Sequence, residues 1–118
     1  MSVVWDASTP IYRQIQQNVM AQILDGVLRP NDPLLSVRQV ATEMGVNPLT
    51  VTHAYHELVN DGVVIKKRGV GMFVSPNAFD VLKAQEKKKF LQEEWPQVLE
   101  RIKRLGLDVE SLLKNKTP

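Results

Sequence analysis

Hydrophobic positions recur with a helical period in three stretches of this chain before the pattern changes. Between residues 10 and 25, Ile11, Ile15, Val19, Met20, Ile23 and Leu24 fall on one face, which predicts an amphipathic helix. Pro10 suits its first turn, Ser8 or Thr9 can cap it, and Gly26 supplies the stop. Residues 27–35, VLRPNDPLL, hold two prolines and an Asn-Asp pair and read as a turn-rich connector. A second helix opens at Ser36. In SVRQVATEM, Val37, Val40, Ala41 and Met44 form the inner stripe, and Gln39 is placed to close a capping box with Ser36. Gly45 ends that helix, Val46 is expected as a buried pivot, and Asn47 caps a third helix with Pro48 at its first position. The third helix runs to Asp61, with Val51, Ala54, Tyr55, Leu58 and Val59 facing in and Gly62 as its stop.

Two short helices joined by a tight turn at Gly45 have the pattern of a helix-turn-helix. The period then shortens. Val63–Ile65 and Met72–Val74 are β-branched or apolar runs flanking the basic, glycine-containing segment KKRGVG, which predicts a two-stranded hairpin. Three helices followed by a hairpin is the order of a winged helix. Ser75 and Pro76 mark the expected domain edge, beyond which helical periodicity returns. Leu91, Trp95, Val98, Ile102 and Leu105 are spaced four, three, four and three apart, an apolar seam of coiled-coil type. Pro96 falls inside the seam and predicts a kink or break near Trp95. Gly106 stops this helix, and Asp108 caps a last short element holding Val109, Leu112 and Leu113. The expected architecture is mostly α with one small β-hairpin: a winged helix-turn-helix over residues 1–76 and a helical tail over residues 77–118.

A length of 118 residues supports one principal core. The chain has no cysteine, which excludes a disulfide framework, a thiolate zinc site and a cysteine nucleophile, and fits a reducing cytoplasm. No apolar run reaches the roughly 18 residues a membrane span needs. The start, MSVVWDASTP, lacks the basic and apolar regions of a signal peptide. Net charge is +2, and residues 1–76 balance six Lys and Arg against six Asp and Glu. A basic surface on the first part must therefore come from the placement of its charges.

That placement directs attention to three segments. On the third helix, Leu49, Thr50, Thr52, His53 and His56 fall on or near the face not used by the core stripe. An α-helix with short polar side chains at its leading end fits the major groove of B-DNA; threonine hydroxyls suit phosphates or base edges, histidine suits phosphate or guanine, and leucine suits a thymine methyl. Arg38, one turn into the second helix, can pair bidentately with phosphate or guanine, or form a weak surface bridge to Glu43 or Glu57. In the hairpin, Lys66, Lys67 and Arg68 suit a backbone or minor-groove approach, and Gly69 and Gly71 let the main chain come close.

The segments PIYRQI, ILDGVL, SVRQVA, VNPLTV, AYHEL, DGVV and RGVGMFV stand in order over residues 10–74. In this they resemble the N-terminal winged-helix domain of the GntR family of bacterial transcription regulators. The short helical tail, in place of a large effector domain, resembles the YtrA subfamily. The resemblance implies a DNA-binding transcription regulator, a repressor that covers its own promoter, and a homodimer formed by the tail. It also implies DNA contact by Arg38. Ser36 and Asn47, at the starts of the two helices of the motif, are grouped with the candidate DNA-contacting residues. The chain departs from the family pattern at Asn31, usually Gly; Leu35, usually Pro; Leu49, usually Asn or a similar polar residue; Thr52-His53, commonly Ser-Arg; and Met72, usually Thr. The resemblance thus carries the scaffold, whereas Leu49, Thr52 and His53 are this chain's own.

The tail seam, with Leu99 beside it, is more apolar surface than a 65-residue domain needs to close its core, and a twofold dimer covers it. Lys87–Lys89 next to it read as a solvated helix face. The expected partners are double-stranded DNA carrying a palindromic or pseudo-palindromic operator, and a second copy of the chain. The tail leaves room for an unidentified small-molecule effector, and no cofactor, metal or membrane partner is expected. Two other readings stand beside this one. Some winged helices bind proteins, and Leu49 leans that way while the hairpin cations lean against it. An enzyme would need more than His53 and His56, three apart with no carboxylate squarely shared, and there is no phosphate loop or nucleophile–base set.

Overall fold

The computed structural model describes residues 8–114. Helix α1 (Ile11–Leu24) begins one residue later than the pattern suggests, with Pro10 at the N-cap and its carbonyl accepting from the Arg13 and Gln14 amides. Helix α2 (Val37–Met44) carries the expected capping box: the Ser36 hydroxyl accepts from the Gln39 amide at 3.1 Å while the Gln39 side chain accepts from the Ser36 amide at 3.0 Å. Gly45 closes α2 at φ +67°, a left-handed conformation that glycine adopts without a steric cost. Helix α3 (Pro48–Asn60) follows after only Val46 and Asn47, and Val46 is half-buried against the core.

Strands β1 (Val64–Lys67) and β2 (Gly71–Val74) form an antiparallel hairpin in the register Val64 to Val74 and Lys67 to Gly71. The ladder is longer than the apolar runs suggest. Lys66, Lys67 and Gly71 belong to it, because backbone pairing does not require an apolar side chain, and the turn shrinks to Arg68-Gly69-Val70. The Lys67 carbonyl accepts from the Val70 amide at 2.9 Å, with Gly69 at φ +76° in the third turn position, where glycine is favoured.

Residues 31–34 also do more than connect. The Leu34 amide donates to the Met72 carbonyl, the Asn31 amide to the Val74 carbonyl, and the Val74 amide to the Asp32 carbonyl, all at 2.8–2.9 Å. This segment lies along β2 as a third edge, with Pro33 opposite Phe73. Asn31 takes φ +68°, the one positive φ outside glycine among the described residues, and asparagine tolerates that region better than most residues.

α1, α2 and β1 each pack on α3. The core contains Ile15, Val19, Ile23, Val40, Ala41, Val51, Ala54, Tyr55, Leu58, Val63, Val64 and Val74. It continues into helix α4 (Ala78–Lys89), whose Ala78 and Leu82 are fully buried. The first compact unit therefore ends at Lys83 and not at the Ser75-Pro76 edge, since the first turns of α4 complete its core.

The second unit, residues 84–118, holds the remainder of α4, a π-helical turn (Phe90–Glu94), α5 (Trp95–Arg104) and α6 (Val109–Lys114). The disturbance expected at Pro96 takes the form of this π-helical turn, in which the Trp95 amide donates to the Phe90 carbonyl. A proline cannot donate to the preceding turn and its ring crowds the carbonyl there; a turn that bonds five residues back relieves both demands without ending the helix. Asp108 caps α6, accepting from the Ser111 hydroxyl at 2.9 Å. No helix among the described residues is long and apolar enough to cross a membrane.

Candidate nucleic-acid interface

The outward face of α3 is set by its inward one. At 3.6 residues per turn, Val51, Ala54, Tyr55 and Leu58 point into the core, and Leu49, Thr52, His53 and His56 fall within about 100° of arc on the opposite side. All four outward residues are exposed, Leu49 to 75%, while Thr50 at the flank is half-buried. Asn47 caps the helix, its side-chain oxygen accepting from the Leu49 amide at 2.9 Å.

His53 is held to one side of this stripe. Its ring meets that of Tyr12 edge-on, with centroids 4.4 Å apart, and its Nε2 lies 3.7 Å from a Glu57 carboxylate oxygen. Glu57 also accepts from Gln16 Nε2 at 3.0 Å, and the same nitrogen approaches the Ala54 carbonyl at 3.2 Å. Gln16 is buried. Tyr12, Gln16 and Glu57 thus form an α1–α3 bracket around His53. The hydropathy pattern gave no sign of it, because it joins polar residues about 40 positions apart.

With Glu57 engaged by His53 and Gln16, the alternative bridge to Arg38 does not form. Arg38, Lys66 and Arg68 are exposed and make no ion pair among the described residues. Lys67 lies over the Phe73 ring with its ammonium 4.4 Å from the centroid, so one wing cation braces the hairpin. Gly69 and Gly71 are open to solvent, with nothing near where a side chain would project. Ser36 is exposed, and its hydroxyl, already accepting from Gln39, keeps its proton to donate. Among the described residues there is no cluster of three or more His, Cys, Asp or Glu that could hold a metal ion.

Tyr55 anchors the site from beneath. Its hydroxyl donates to the Leu35 carbonyl at 2.8 Å, fixing the chain immediately before Ser36. Burial pushes the phenol up from 10.0 to about 12. The folded state holds this proton more tightly than the unfolded chain, so its contribution is intact below pH 10 and is lost as pH rises from 10 towards 12. In melting experiments followed by circular dichroism at pH 8 to 11.5, Tyr55→Phe should lose about 1 kcal/mol at neutral pH with the hydrogen bond. The variant should also fall less steeply than the native chain above pH 10. Parallel curves would remove Tyr55 as the cause.

A helix-turn-helix with a free outward face on its second helix, followed by a basic hairpin, defines a winged-helix protein of the nucleic-acid-binding class. Residues 11–74 match the family described as bacterial regulatory proteins, gntR family, and the chain belongs to that family. It is 38% identical over 106 residues to the HTH-type transcriptional repressor YtrA of Bacillus subtilis, covering 90% of this chain and 81% of that protein. A GntR family transcriptional regulator from Listeria monocytogenes superposes with a TM-score of 0.77 at 30% identity, covering 92% of this chain and 94% of the other. YtrA from Sulfolobus acidocaldarius, a GntR-family transcription factor, superposes with a TM-score of 0.60 at 31% identity over 76% of this chain and 95% of its own. The chain is accordingly a DNA-binding transcription regulator and not an enzyme.

Proposed function

We propose that the protein is a cytoplasmic repressor that binds a palindromic or pseudo-palindromic operator as a homodimer. The observation that carries this reading is the free outward face of α3 accompanied by three exposed cations without carboxylate partners, Arg38, Lys66 and Arg68. In this reading α3 enters the major groove. Leu49, Thr52 and His56 face base edges, and Ser36, Arg38, Asn47 and Thr50 fix its height against phosphates. Lys67 stiffens the wing, Arg68 approaches the backbone or minor groove, and Gly69 and Gly71 admit close main-chain approach. His53, bracketed by Tyr12 and Glu57, reaches DNA from the edge of the α3 face.

The second unit supplies the dimer. Leu91, Val98 and Leu105 are exposed at intervals of seven residues, while Trp95 stacks on Phe90 at 6.2 Å. Leu99 and Ile102 share an apolar groove with Leu107 and Val109. A second copy covers the exposed set and places two copies of α3 against half-sites about one helical turn apart. The groove is also the place in this unit for a small-molecule effector, acting by a shift in dimer geometry.

The test is selection from a randomised duplex pool, repeated across salt concentrations. A two-half-site consensus bound less tightly as salt rises is the expected result. Arg38→Ala should weaken binding to that consensus about 5- to 150-fold, the loss of one charged contact of about 1–3 kcal/mol. Absence of binding even at low salt would overturn the reading in favour of a protein-docking winged helix.

A further inference from the structure

The reading face of α3 is short of the groups that usually specify bases. From Pro48 to His56 it contains no Arg, Lys, Asn or Gln. Arginine or lysine on guanine, and asparagine or glutamine on adenine, are the common direct contacts. Asn47 stands at the end of the helix, but its carboxamide oxygen is bonded to the Leu49 amide. The pairing to adenine that needs both its oxygen and its nitrogen is therefore not open to it. What faces outward is one isobutyl group, one threonine and one imidazole, with the second imidazole held aside by Tyr12 and Glu57.

Leu49 is the most exposed of the large apolar residues on α2 and α3, and it sits in the first turn of α3, the part of a recognition helix that meets base edges. Its neighbours on that stripe, Thr52 and His56, are polar. A surface for docking another protein needs a contiguous apolar area of several hundred Å2, and one leucine among polar residues does not make it. One leucine does match the one apolar group displayed on the major-groove edge of a base pair, the 5-methyl of thymine. The unpaired Arg38, Lys66 and Arg68 supply the charge that brings a phosphate backbone to this face.

We propose that Leu49 is a specificity-determining residue that selects a thymine in each operator half-site by packing against its 5-methyl group. The proposal rests on the DNA-binding reading and adds to it the base identity and the chemical group recognised. It makes the operator's sequence depend on an apolar contact in the first turn of α3.

Deoxyuridine differs from thymidine only by the missing methyl, which makes the DNA itself the probe. In the duplex selected by the native protein, each thymine would be replaced singly and then symmetrically by deoxyuridine, and affinity measured by fluorescence anisotropy at fixed salt. The expected result is one thymine per half-site whose replacement weakens binding about fourfold, the effect of burying one methyl group, and about 15-fold when both half-sites are changed. With Leu49→Ala, the ratio of thymine to uracil affinity at that position falls to about one. Leu49 is exposed and alanine favours helix, so the substitution leaves the fold in place. Binding that is indifferent to every thymine methyl overturns the proposal while leaving the regulator reading standing. A methyl dependence that survives in Leu49→Ala also overturns it, by assigning the contact to another residue. Failure of the native chain to bind any duplex overturns both.

Discussion

Val98→Asp should convert the protein to a monomer and lower its operator affinity about 10²- to 10⁴-fold, the scale set by losing the tethered second binding event. Val98 lies on α5 between Leu91 and Leu105 in the sequence, and all three are exposed. It is 43% exposed in the single chain, so an aspartate there stays hydrated in the monomer and does not disturb α5. In the dimer the same carboxylate would be enclosed among apolar side chains, where an unpaired charge is strongly disfavoured. Sedimentation equilibrium at micromolar concentration reads the assembly, and titration with the selected duplex reads the affinity. A variant that remains dimeric would place the interface elsewhere. A monomer with undiminished affinity would show that one winged helix suffices.

The second large effect concerns stability. Leu58→Ala should cost about 2–5 kcal/mol, the range for truncating a fully buried leucine whose neighbours relax only in part. Leu58 is 1% exposed in the core formed by α1, α3 and the hairpin. Its carbonyl also accepts from the Val63 amide at 3.0 Å, at the point where α3 hands over to β1. Against a typical total of about 5–15 kcal/mol, such a loss lowers the melting temperature by at least about 10 °C. Urea titration followed by circular dichroism checks it, and an unchanged midpoint would contradict the packing described. The exposed face of α3 is untouched, so operator binding at low temperature should persist in whatever fraction is folded.

Much of the winged helix was legible in the sequence because its boundaries are marked by residues with narrow conformational roles. Ser36 with Gln39, Asn47 with Pro48, and Gly45 each act locally, within three or four residues, and the structure uses them as the pattern suggests. The outward face of α3 was legible for a similar reason: once Val51, Ala54, Tyr55 and Leu58 face inward, helical geometry assigns Leu49, Thr52 and His56 to the other side.

What escaped was long-range or hidden by proline. Residues 31–34 pair with β2 through backbone groups alone, and a segment with two nearby prolines and no alternation gives no strand signal. Gln16 is polar and yet buried, because Glu57 and the Ala54 carbonyl accept from its amide nitrogen. His53 is where α3's period puts it, but its pairing with Tyr12 depends on how α1 crosses α3. Pro96 marks a kink or break in the seam from Leu91 to Leu105 but not the form it takes. The π-helical turn before Pro96 bonds five residues back and not four, so Leu91 and Val98 are not linked by a regular α-helical phase.

The segment that lies along β2 has a consequence for how this protein behaves when concentrated. A small sheet with open edges is a template on which strands of other molecules can add, the first step towards aggregation. Here Pro33 faces outward on one edge, opposite Phe73, and has no amide to offer an incoming strand. The other edge belongs to β1, four residues long and ending in Lys66 and Lys67, whose charges repel a second copy of themselves. Both sides of the sheet are thus closed to further pairing. In the proposed dimer, self-association would use the helical tail and give a closed pair of molecules, not a growing fibre.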